Sequence, residues 1–361
     1  MNKILLGSER FKAQLEQVAA EARDSLLVQA MTFEGDDAGE WLIETMMQSP
    51  AKDKRLLIDS YSKVVVNDHF VISGKYLSDK AFRDEVKNTK AVLEKARTAG
   101  IAYKFVNPVG FLGQKYPLRN HKKMVVVDGV YSYLGGINFS DHNFAWHDMM
   151  IELTDEKVGK ILVDDFNQTW NGINQSKVAK VGNGELYFFN GRKSQSLYEH
   201  LFQHLRDATE RIDIISPYIS EPLLSVVKEI SKKGVGVTVI SPSKNNKSIF
   251  RNLILSEYQK GYFKLKEFEG MSHMKAILID NNKLIFGSSN YDLISYYFEQ
   301  EVVMMLQDKS LVEQFQELVL KKVKDINVNE ISGHSSSKAA MLMKLLDGFG
   351  RMASSSFLKT V

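Results

Sequence analysis

The sequence predicts an α/β fold in which helices cover β-sheets. Short apolar runs of strand length alternate with amphipathic stretches of helix length along the chain. The order of these elements occurs twice, and so does a motif of His, Lys, Asp, Gly and Asn. We therefore expect two lobes of the same α/β class, related by a pseudo-twofold axis, with a single active site at their interface.

The elements of the first half follow from hydrophobic periodicity. The stretch LLVQAMTF is a continuous apolar run typical of a buried strand. Behind it the pattern changes to the helical period and then alternates. The predicted elements are a strand at 26–33, a helix at 38–47, a strand at 56–59, a helix at 80–99 and a strand at 101–106.

The second half repeats this order with shorter connections. The predicted elements are a helix at 197–211, a strand at 212–216, a helix at 222–233, a strand at 235–241, a helix at 248–260 and a strand at 263–268. Leu26 precedes His121 by 95 residues, whereas the matching Ile212 precedes His273 by 61. The first half thus carries about 34 extra residues, which we place around 61–76 and the following helix.

Composition excludes several classes of protein. A chain of 361 residues with 44% hydrophobic and 25% charged residues is globular rather than disordered or collagen-like. Lys and Arg total 47 against 44 Asp and Glu, and this net charge of +3 does not indicate a histone-like polyanion binder. With no Cys, the chain has no thiol nucleophile or disulfide. We expect a cytoplasmic protein with neither signal peptide nor membrane span.

Domain boundaries are expected at two polar, glycine-containing segments. We place a first lobe at 1–173, a linker at 174–185 (NQSKVAKVGNGE), a second lobe at 186–328 and a linker with a tail at 329–361. In the tail, KAAMLMKLLDGFGR places basic and apolar residues on opposite helical faces. Such a helix either lies in an anionic lipid interface, at the inner face of a membrane, or packs on the body or a partner.

The strongest signal is the motif that occurs twice. The first copy has His121, Lys123, Asp128, the pair Gly135 and Gly136, and Asn138. The second copy has His273, Lys275, Asp280, Gly287 and Ser288, and Asn290, with every position displaced by 152 residues. Chance is a poor explanation for two such copies. The apolar residues around each copy indicate strands, in which a His and a Lys two positions apart share one face.

This arrangement suits phosphodiester chemistry. Two lysines match a negatively charged substrate, because phosphoryl transfer depends mainly on positioning and charge stabilisation. One neutral imidazole can attack phosphorus while the other, protonated, donates to the departing oxygen. The intermediate would be a phosphohistidine, which water or an alcohol then resolves. No metal or other cofactor is needed, because the lysines supply the positive charge.

These residues resemble the phospholipase D superfamily, whose signature is a duplicated HxKxxxxD motif. RNHKKMVVVDG followed by GGIN, and GMSHMKAILID followed by GSSNYD, are similar to bacterial cardiolipin synthases. The resemblance extends over most of 7–320 and implies a phosphatidyltransferase that acts on a phospholipid, with phosphatidylglycerol the expected substrate.

The resemblance also assigns roles to individual residues. It makes His121 the nucleophile and His273 the general acid. It places Lys123, Lys275, Asn138 and Asn290 on the phosphate, together with Arg119, Gly136 and Ser288 of the motif surroundings. It has Glu301 orient His121 and Asp148 orient His273, because a carboxylate on one ring nitrogen fixes the tautomer. Asp128 and Asp280 would be structural. Ile294 stands where cardiolipin synthases commonly carry an Arg, whereas Ser295 remains.

Four other histidines are candidate metal ligands or site residues. His200 and His204 lie four apart on a predicted helix, a spacing that can bind a metal, but no zinc-protease Glu follows. We interpret that pair as part of a solvated helix. His142 and His147 flank the loop of Asn138, either lining the pocket or merely neighbouring it.

Alternative functions remain at this point. A phospholipase D hydrolase shares the same intermediate. A metal-independent nuclease of the superfamily would use the same lysines on nucleic acid, with affinity that falls as salt rises. A non-catalytic lipid- or nucleic-acid-binding module would keep only the fold.

Overall fold

The computed structural model describes residues 2–111, 113–326, 341, 345–348 and 350. The chain divides into two compact units, Met1–Gln175 and Ser176–Val361. Each unit contains one large mixed sheet with helices on it, so the predicted α/β class is confirmed.

The first unit is built on a seven-stranded sheet. Its order is β1-β9-β8-β7-β2-β3-β6, with β2, β3 and β6 parallel and the other pairs antiparallel. The elements are β1 (Lys3–Leu6), α1 (Ser8–Glu21), β2 (Ser25–Ala30), α2 (Asp37–Gln48), β3 (Asp53–Asp59), β4 (Val65–Val66), β5 (His69–Phe70), α3 (Gly74–Ser78), α4 (Lys80–Thr98), β6 (Ala102–Val106), β7 (Met124–Val127), β8 (Tyr131–Gly135), α5 (Asp141–Phe144), β9 (Met149–Thr154) and α6 (Glu156–Trp170).

The second unit repeats the central six strands. Its nine-stranded sheet has the order β10-β11-β17-β16-β15-β12-β13-β14-β18. The elements are β10 (Lys177–Val181), β11 (Gly184–Asn190), α7 (Gln195–Arg206), β12 (Arg211–Ile215), α8 (Leu223–Lys232), β13 (Gly236–Pro242), α9 (Ser248–Tyr258), β14 (Lys264–Phe268), β15 (Ala276–Ile279), β16 (Lys283–Gly287), α10 (Leu293–Tyr297), β17 (Gln300–Leu306), α11 (Lys309–Leu318) and β18 (Lys324–Asp325).

Hydrophobic burial explains why these segments take these positions. The central strands are apolar on both faces, as expected for strands covered by helices on each side. In the first unit, Phe11 of α1 packs edge-on against Tyr133 of β8, with ring centroids 5.8 Å apart, beside Phe139. In the second unit, Phe189 of β11 stacks on Tyr198 of α7 at 3.9 Å. Aromatic rings therefore join sheet to helix in both cores.

The polar segment 174–185 differs from the expected linker. It contains β10, which turns at Gly182 (φ 53°) into β11 and forms the edge of the second sheet. An edge strand exposes polar side chains, so its composition resembles that of a linker.

The extra residues of the first unit occupy two places. Between β3 and β6 there are 42 residues, against 21 between β13 and β14. This part holds the β4–β5 hairpin, α3 and α4, where the extra residues were predicted. A further difference lies between β6 and β7, with 17 residues against 7 between β14 and β15.

Most of the C-terminal tail lies outside the described residues, including Lys344 and Arg351. In the described part, residues 345–348 are helical, and Asp347 accepts a hydrogen bond of 3.1 Å from the hydroxyl of Tyr297. Across the described residues, we find no helix with both the length and the hydropathy needed to cross a bilayer.

Candidate active site

Each motif histidine precedes the central hairpin of its own sheet. His121 and Lys123 lie directly before β7, which begins at Met124, rather than within the predicted strand. His273 and Lys275 lie in the same place before β15. All four side chains are at least nine-tenths buried. Extended backbone still alternates, so the His and Lys of each copy share a side while the residue between them points away.

The lysines are fixed by the backbone of their own motif. The ammonium of Lys123 donates to the carbonyl oxygen of His121 at 2.7 Å, and Lys275 donates in the same way to that of His273. A cation is thereby held beside each imidazole. An anionic oxygen bound there would be attracted to this positive charge. The attraction is stronger in a buried site of low dielectric constant than in water.

The motif aspartates bind backbone rather than pointing into a site. Asp128 (φ 51°) accepts from the backbone N–H groups of Arg23, Asp24 and Ser25 at 2.8 to 2.9 Å. Burial would raise the pKa of Asp128, but these three bonds outweigh it and lower the pKa. The carboxylate thus remains charged and ties the hairpin turn to the start of β2.

Asp280 (φ 47°) does the same in the second unit. It accepts from the backbone N–H groups of Thr209, Glu210 and Arg211 at 2.8 to 3.0 Å, and from the Thr209 hydroxyl. Burial again opposes these bonds, and they prevail and lower the pKa of Asp280. Both geometries support a structural role.

The acidic residues Asp148 and Glu301 occupy equivalent places. Gly135 of β8 pairs with Met150 of β9, and the equivalent Gly287 of β16 pairs with Val303 of β17. The paired positions are therefore one residue further apart in the sequence of the second unit. Counting back from these pairs aligns Asp148 with Glu301. Both carboxylates are buried, next to the glycine or serine that follows the hairpin.

The small residue of each motif accommodates its acid. A Cβ on Gly136 would lie 2.4 Å from Oδ1 of Asp148, so only glycine leaves room. In the second unit, the hydroxyl of Ser288 donates to Oε2 of Glu301, and the hydroxyl of Ser295 donates to Oε1 at 2.7 Å. These contacts differ from the phosphate contacts expected for Gly136 and Ser288. Their backbone N–H groups are also occupied, by Met149 and Val302 carbonyls.

The two motif asparagines differ in their partners. Asn138 accepts from the Thr32 N–H at 3.1 Å and donates to Asn143 at 3.4 Å. Among the described residues, no donor reaches Oδ1 of Asn290, although this oxygen is buried. The amide of Asn290 is therefore the less constrained of the two.

Arg119 also differs from its expected role. Its guanidinium donates to Asp59 at 2.7 Å and to the Lys115 carbonyl at 2.8 Å, and it is buried. Asp59 further accepts from the N–H of Asn120 at 2.5 Å. The pair fixes the segment that leads to His121, so these contacts support a positioning role rather than a phosphate contact.

Sequence analysis missed several residues around the motifs. Lys122, between His121 and Lys123, donates to Asp165 of α6 at 2.6 Å, and both side chains are fully buried. In the second unit, the ring of Tyr218 lies edge-on to His273 at 6.0 Å and carries the ammonium of Lys247 at 4.6 Å. In the first unit, a charged residue at the end of an apolar strand, such as Asp59 at the end of β3, was the signal that could have indicated buried ion pairs. The sequence carries no comparable signal for Tyr218.

The two histidines that flank the loop of Asn138, His142 and His147, differ in their surroundings. Nδ1 of His142 lies 3.6 Å from Oε2 of Glu34, a buried carboxylate after β2. Burial lowers the pKa of His142, but Glu34, Asp68 and Asp36 outweigh it and raise it. His147 is exposed. His142 is thus built into the loop that carries Asn138.

Comparisons with known proteins indicate one family. A family model described as "Cardiolipin synthase, PLD-like domain" matches residues 15–170 and 201–322. Minor cardiolipin synthase ClsB of Bacillus subtilis is 23% identical over 254 residues, 62% of this chain and 62% of the relative. Cardiolipin synthase A of Pseudomonas putida is 22% identical over 349 residues, 90% of this chain and 68% of the relative.

A solved structure shares the fold. The crystal structure of phosphatidylserine synthase from Haemophilus influenzae matches with a TM-score of 0.72 and 14% identity, covering 99% of this chain and 94% of that chain. The chain spans 62% of the length of ClsB, so whole-protein activity does not transfer with the match. With the family model covering both motif regions, the chain belongs to the PLD-like domain family of cardiolipin synthases.

Proposed function

We propose that this protein is a phosphatidyltransferase of the cardiolipin synthase type. The observation that carries the proposal is the duplication of one chemical unit, an imidazole with an ammonium fixed on its own carbonyl, in both halves. A binding module would need charge but not two such imidazoles. The names of the relatives, cardiolipin synthases and a phosphatidylserine synthase, support a phospholipid substrate.

The reaction follows from the division of labour between two histidines. Nitrogen of His121 attacks the phosphorus of phosphatidylglycerol, and the P–O bond to glycerol breaks as His273 gives its proton to the departing oxygen. The product is a phosphatidylhistidine and free glycerol. A hydroxyl of a second phosphatidylglycerol then attacks, His273 takes its proton, and the P–N bond breaks to yield cardiolipin.

Supporting residues have distinct tasks in this scheme. Lys123, Lys275, Asn138 and Asn290 stabilise the phosphate, with the lysines neutralising the charge that develops on its oxygens. Glu301 orients His121 and Asp148 orients His273. The hydroxyls of Ser288 and Ser295 fix the direction of the Glu301 carboxylate, which suits a group that must orient an imidazole.

The activity test uses phosphatidylglycerol in detergent micelles. We expect cardiolipin and glycerol in equal amounts, with little phosphatidate. Phosphatidate as the main product would show that the protein is a hydrolase and not a transferase. Absence of turnover with any phospholipid would show that the substrate is not a lipid. A His69→Gln variant serves as control, because His69 is an exposed histidine outside both motifs.

Trapping the intermediate tests the chemistry itself. Phosphatidylglycerol labelled in its acyl chains is mixed with protein, and the reaction is stopped in alkaline denaturant because phosphohistidine is labile in acid. We expect the label on protein at His121 and none in His121→Asn. Label from the glycerol headgroup instead would show that the wrong bond breaks.

We also propose that residues 329–361 bring the enzyme to an anionic membrane surface as a peripheral protein. The basic and apolar faces of the tail sequence support this. Sedimentation with phosphatidylglycerol vesicles should weaken at high salt and after truncation at residue 328, while turnover in micelles persists. Equal sedimentation of both forms would contradict a membrane role for the tail.

A further inference from the structure

Three potential metal ligands converge in the second unit, at a place that the proposed activity does not use. They are Glu185 of β11 and the pair His200 and His204 of α7. Oε2 of Glu185 lies 3.0 Å from Nε2 of His204 and 3.9 Å from Nε2 of His200. One ligand atom from each residue lies within 4.8 Å of the other two.

Local structure explains the convergence. Residues four apart on a helix lie above one another, so both imidazoles extend from one face of α7. Glu185 and Tyr187 are two positions apart in β11, so both side chains lie on the sheet face against which α7 packs. Sequence spacing alone indicated a solvated helix, because the carboxylate comes from a strand outside α7.

The distances suit a tetrahedral ion. With bonds of about 2.0 to 2.1 Å, neighbouring ligands of zinc lie about 3.3 Å apart. The observed separations of 3.0 and 3.9 Å lie on either side of this value, so small side-chain rotations suffice. His200 has 45% of its side chain exposed, which leaves one side open to a water ligand.

A buried hydroxyl fixes the carboxylate of Glu185. The hydroxyl of Tyr187, a buried side chain, donates to Oε2 of Glu185. Such a second partner fixes the direction of a ligating carboxylate.

The cluster is separate from the motif residues of its unit. In the pairing of β11 with β17, Glu185 lies opposite Met305, whereas Phe189 lies opposite Glu301. Four residues of extended strand correspond to about 13 Å. We propose that Glu185, His200 and His204 form a site for a divalent transition metal of the zinc class, with water as the fourth ligand.

The bound metal joins α7 to β11. α7 also carries Tyr198, whose ring stacks on Phe189 of β11. A metal at the other end of this helix–strand contact stabilises the second unit, because it binds the folded arrangement and not the separated elements. The site is independent of the proposed transferase chemistry.

The test begins with protein dialysed against a chelator and then titrated with Zn²⁺ by calorimetry. We expect one site per chain, a rise in the unfolding temperature with Zn²⁺, and a tetrahedral absorption spectrum with Co²⁺. Glu185→Gln, His200→Gln and His204→Gln should each abolish all three signals. The matched controls His69→Gln and His121→Asn should keep them.

Tyr187→Phe separates ligand positioning from folding. It removes only the hydroxyl, so metal affinity should fall about tenfold to 100-fold while the unfolding temperature in chelator stays near that of the wild type. Absence of zinc binding, or binding that survives His200→Gln and His204→Gln in folded protein, would overturn the site. Circular dichroism in chelator establishes that each variant is folded.

Discussion

The two motif copies differ less in their chemical groups than in what supports them. In each unit an Asp holds three successive backbone N–H groups, and a Lys donates to the carbonyl of its own His. These bonds fix the hairpin turn and hold the ammonium beside the backbone of its own histidine. The residues that surround these groups differ between the two units.

The strongest divergence lies behind the motifs. The first unit buries the ion pair of Lys122 with Asp165. Met274 takes the position of Lys122 at the spacing of 152, and Leu318 that of Asp165, counted from the N-cap residues of α6 and α11. The second unit thus replaces a buried ion pair by two apolar side chains.

A second divergence concerns the small residue beside each acid. Gly136 leaves room for Asp148, whereas Ser288 donates to Glu301. The acid of the second unit thus accepts from hydroxyls, whereas Oδ1 of Asp148 accepts from the N–H of Met149 at 2.8 Å and Gly136 packs close to it. The comparison teaches that the His, Lys and Asp of the two motif copies share the same backbone contacts, whereas the side chains that support them differ between the two units.

The largest expected effect distinguishes the two histidines. His121→Asn should abolish turnover and the covalent intermediate. His273→Asn should lower turnover of phosphatidylglycerol by about 10² to 10⁴, because it removes general acid catalysis. Departure of p-nitrophenolate from a phosphatidyl ester needs no acid, so the first turnover of His273→Asn should release p-nitrophenol nearly as fast as that of the wild type. Equal losses on both substrates would show that the assigned roles are wrong.

Exchanging the ion pair for its counterpart tests the second difference. Lys122→Met alone should destabilise the protein by about 3 to 5 kcal/mol, because it leaves Asp165 buried without its cation. The double variant Lys122→Met with Asp165→Leu copies the second unit and should recover most of this loss. Denaturant unfolding measures both. A double variant as unstable as the single one would contradict the comparison.

Exchanging the small residues has a smaller effect. Gly136→Ser forces the Asp148 carboxylate away and should cost about 100-fold in kcat, since a displacement of about 1 Å suffices for this. Ser288→Gly removes one hydrogen bond to a charged group, while Ser295 remains, and should cost about tenfold. Steady-state kinetics on folded variants measure both effects. A larger loss in Ser288→Gly than in Gly136→Ser would contradict the comparison.

The smallest effect is a pH dependence of the loop that carries His142 in the first unit. Burial raises the pKa of Asp36 to about 6, and Glu34 with the neighbouring acids raises that of His142. Both groups bind a proton more tightly when folded, so their stabilisation is lost as pH rises through their folded pKa values. Ile294 replaces His142 in the second unit.

Hydrogen exchange measures this difference. Between pH 5.5 and 8, protection of residues 31–36 and 138–143 should fall by about 1 kcal/mol, with Glu85 adding to the repulsion. His142→Gln should reduce the change in these two segments. A pH dependence unaltered by His142→Gln would exclude this imidazole as its source.

Much of this protein could be predicted from local pattern. Alternating apolar runs fixed the strand and helix order, because burial selects period and length. The duplicated motif indicated its histidines, lysines and aspartates as candidate site residues, since chemistry restricts which residue types can occupy those positions. The acids Asp148 and Glu301 were found by family resemblance, although the spacing between motif and acid differs by one residue between the halves.

Partners distant in sequence were decided only by tertiary structure. Lys122 with Asp165, Arg119 with Asp59, and Glu185 with His204 meet because strands and helices far apart in the chain pack together. A lysine in a motif looks the same whether its ammonium faces substrate or a buried carboxylate. Sequence period determines on which side a residue lies, but what occupies that side depends on how the elements pack.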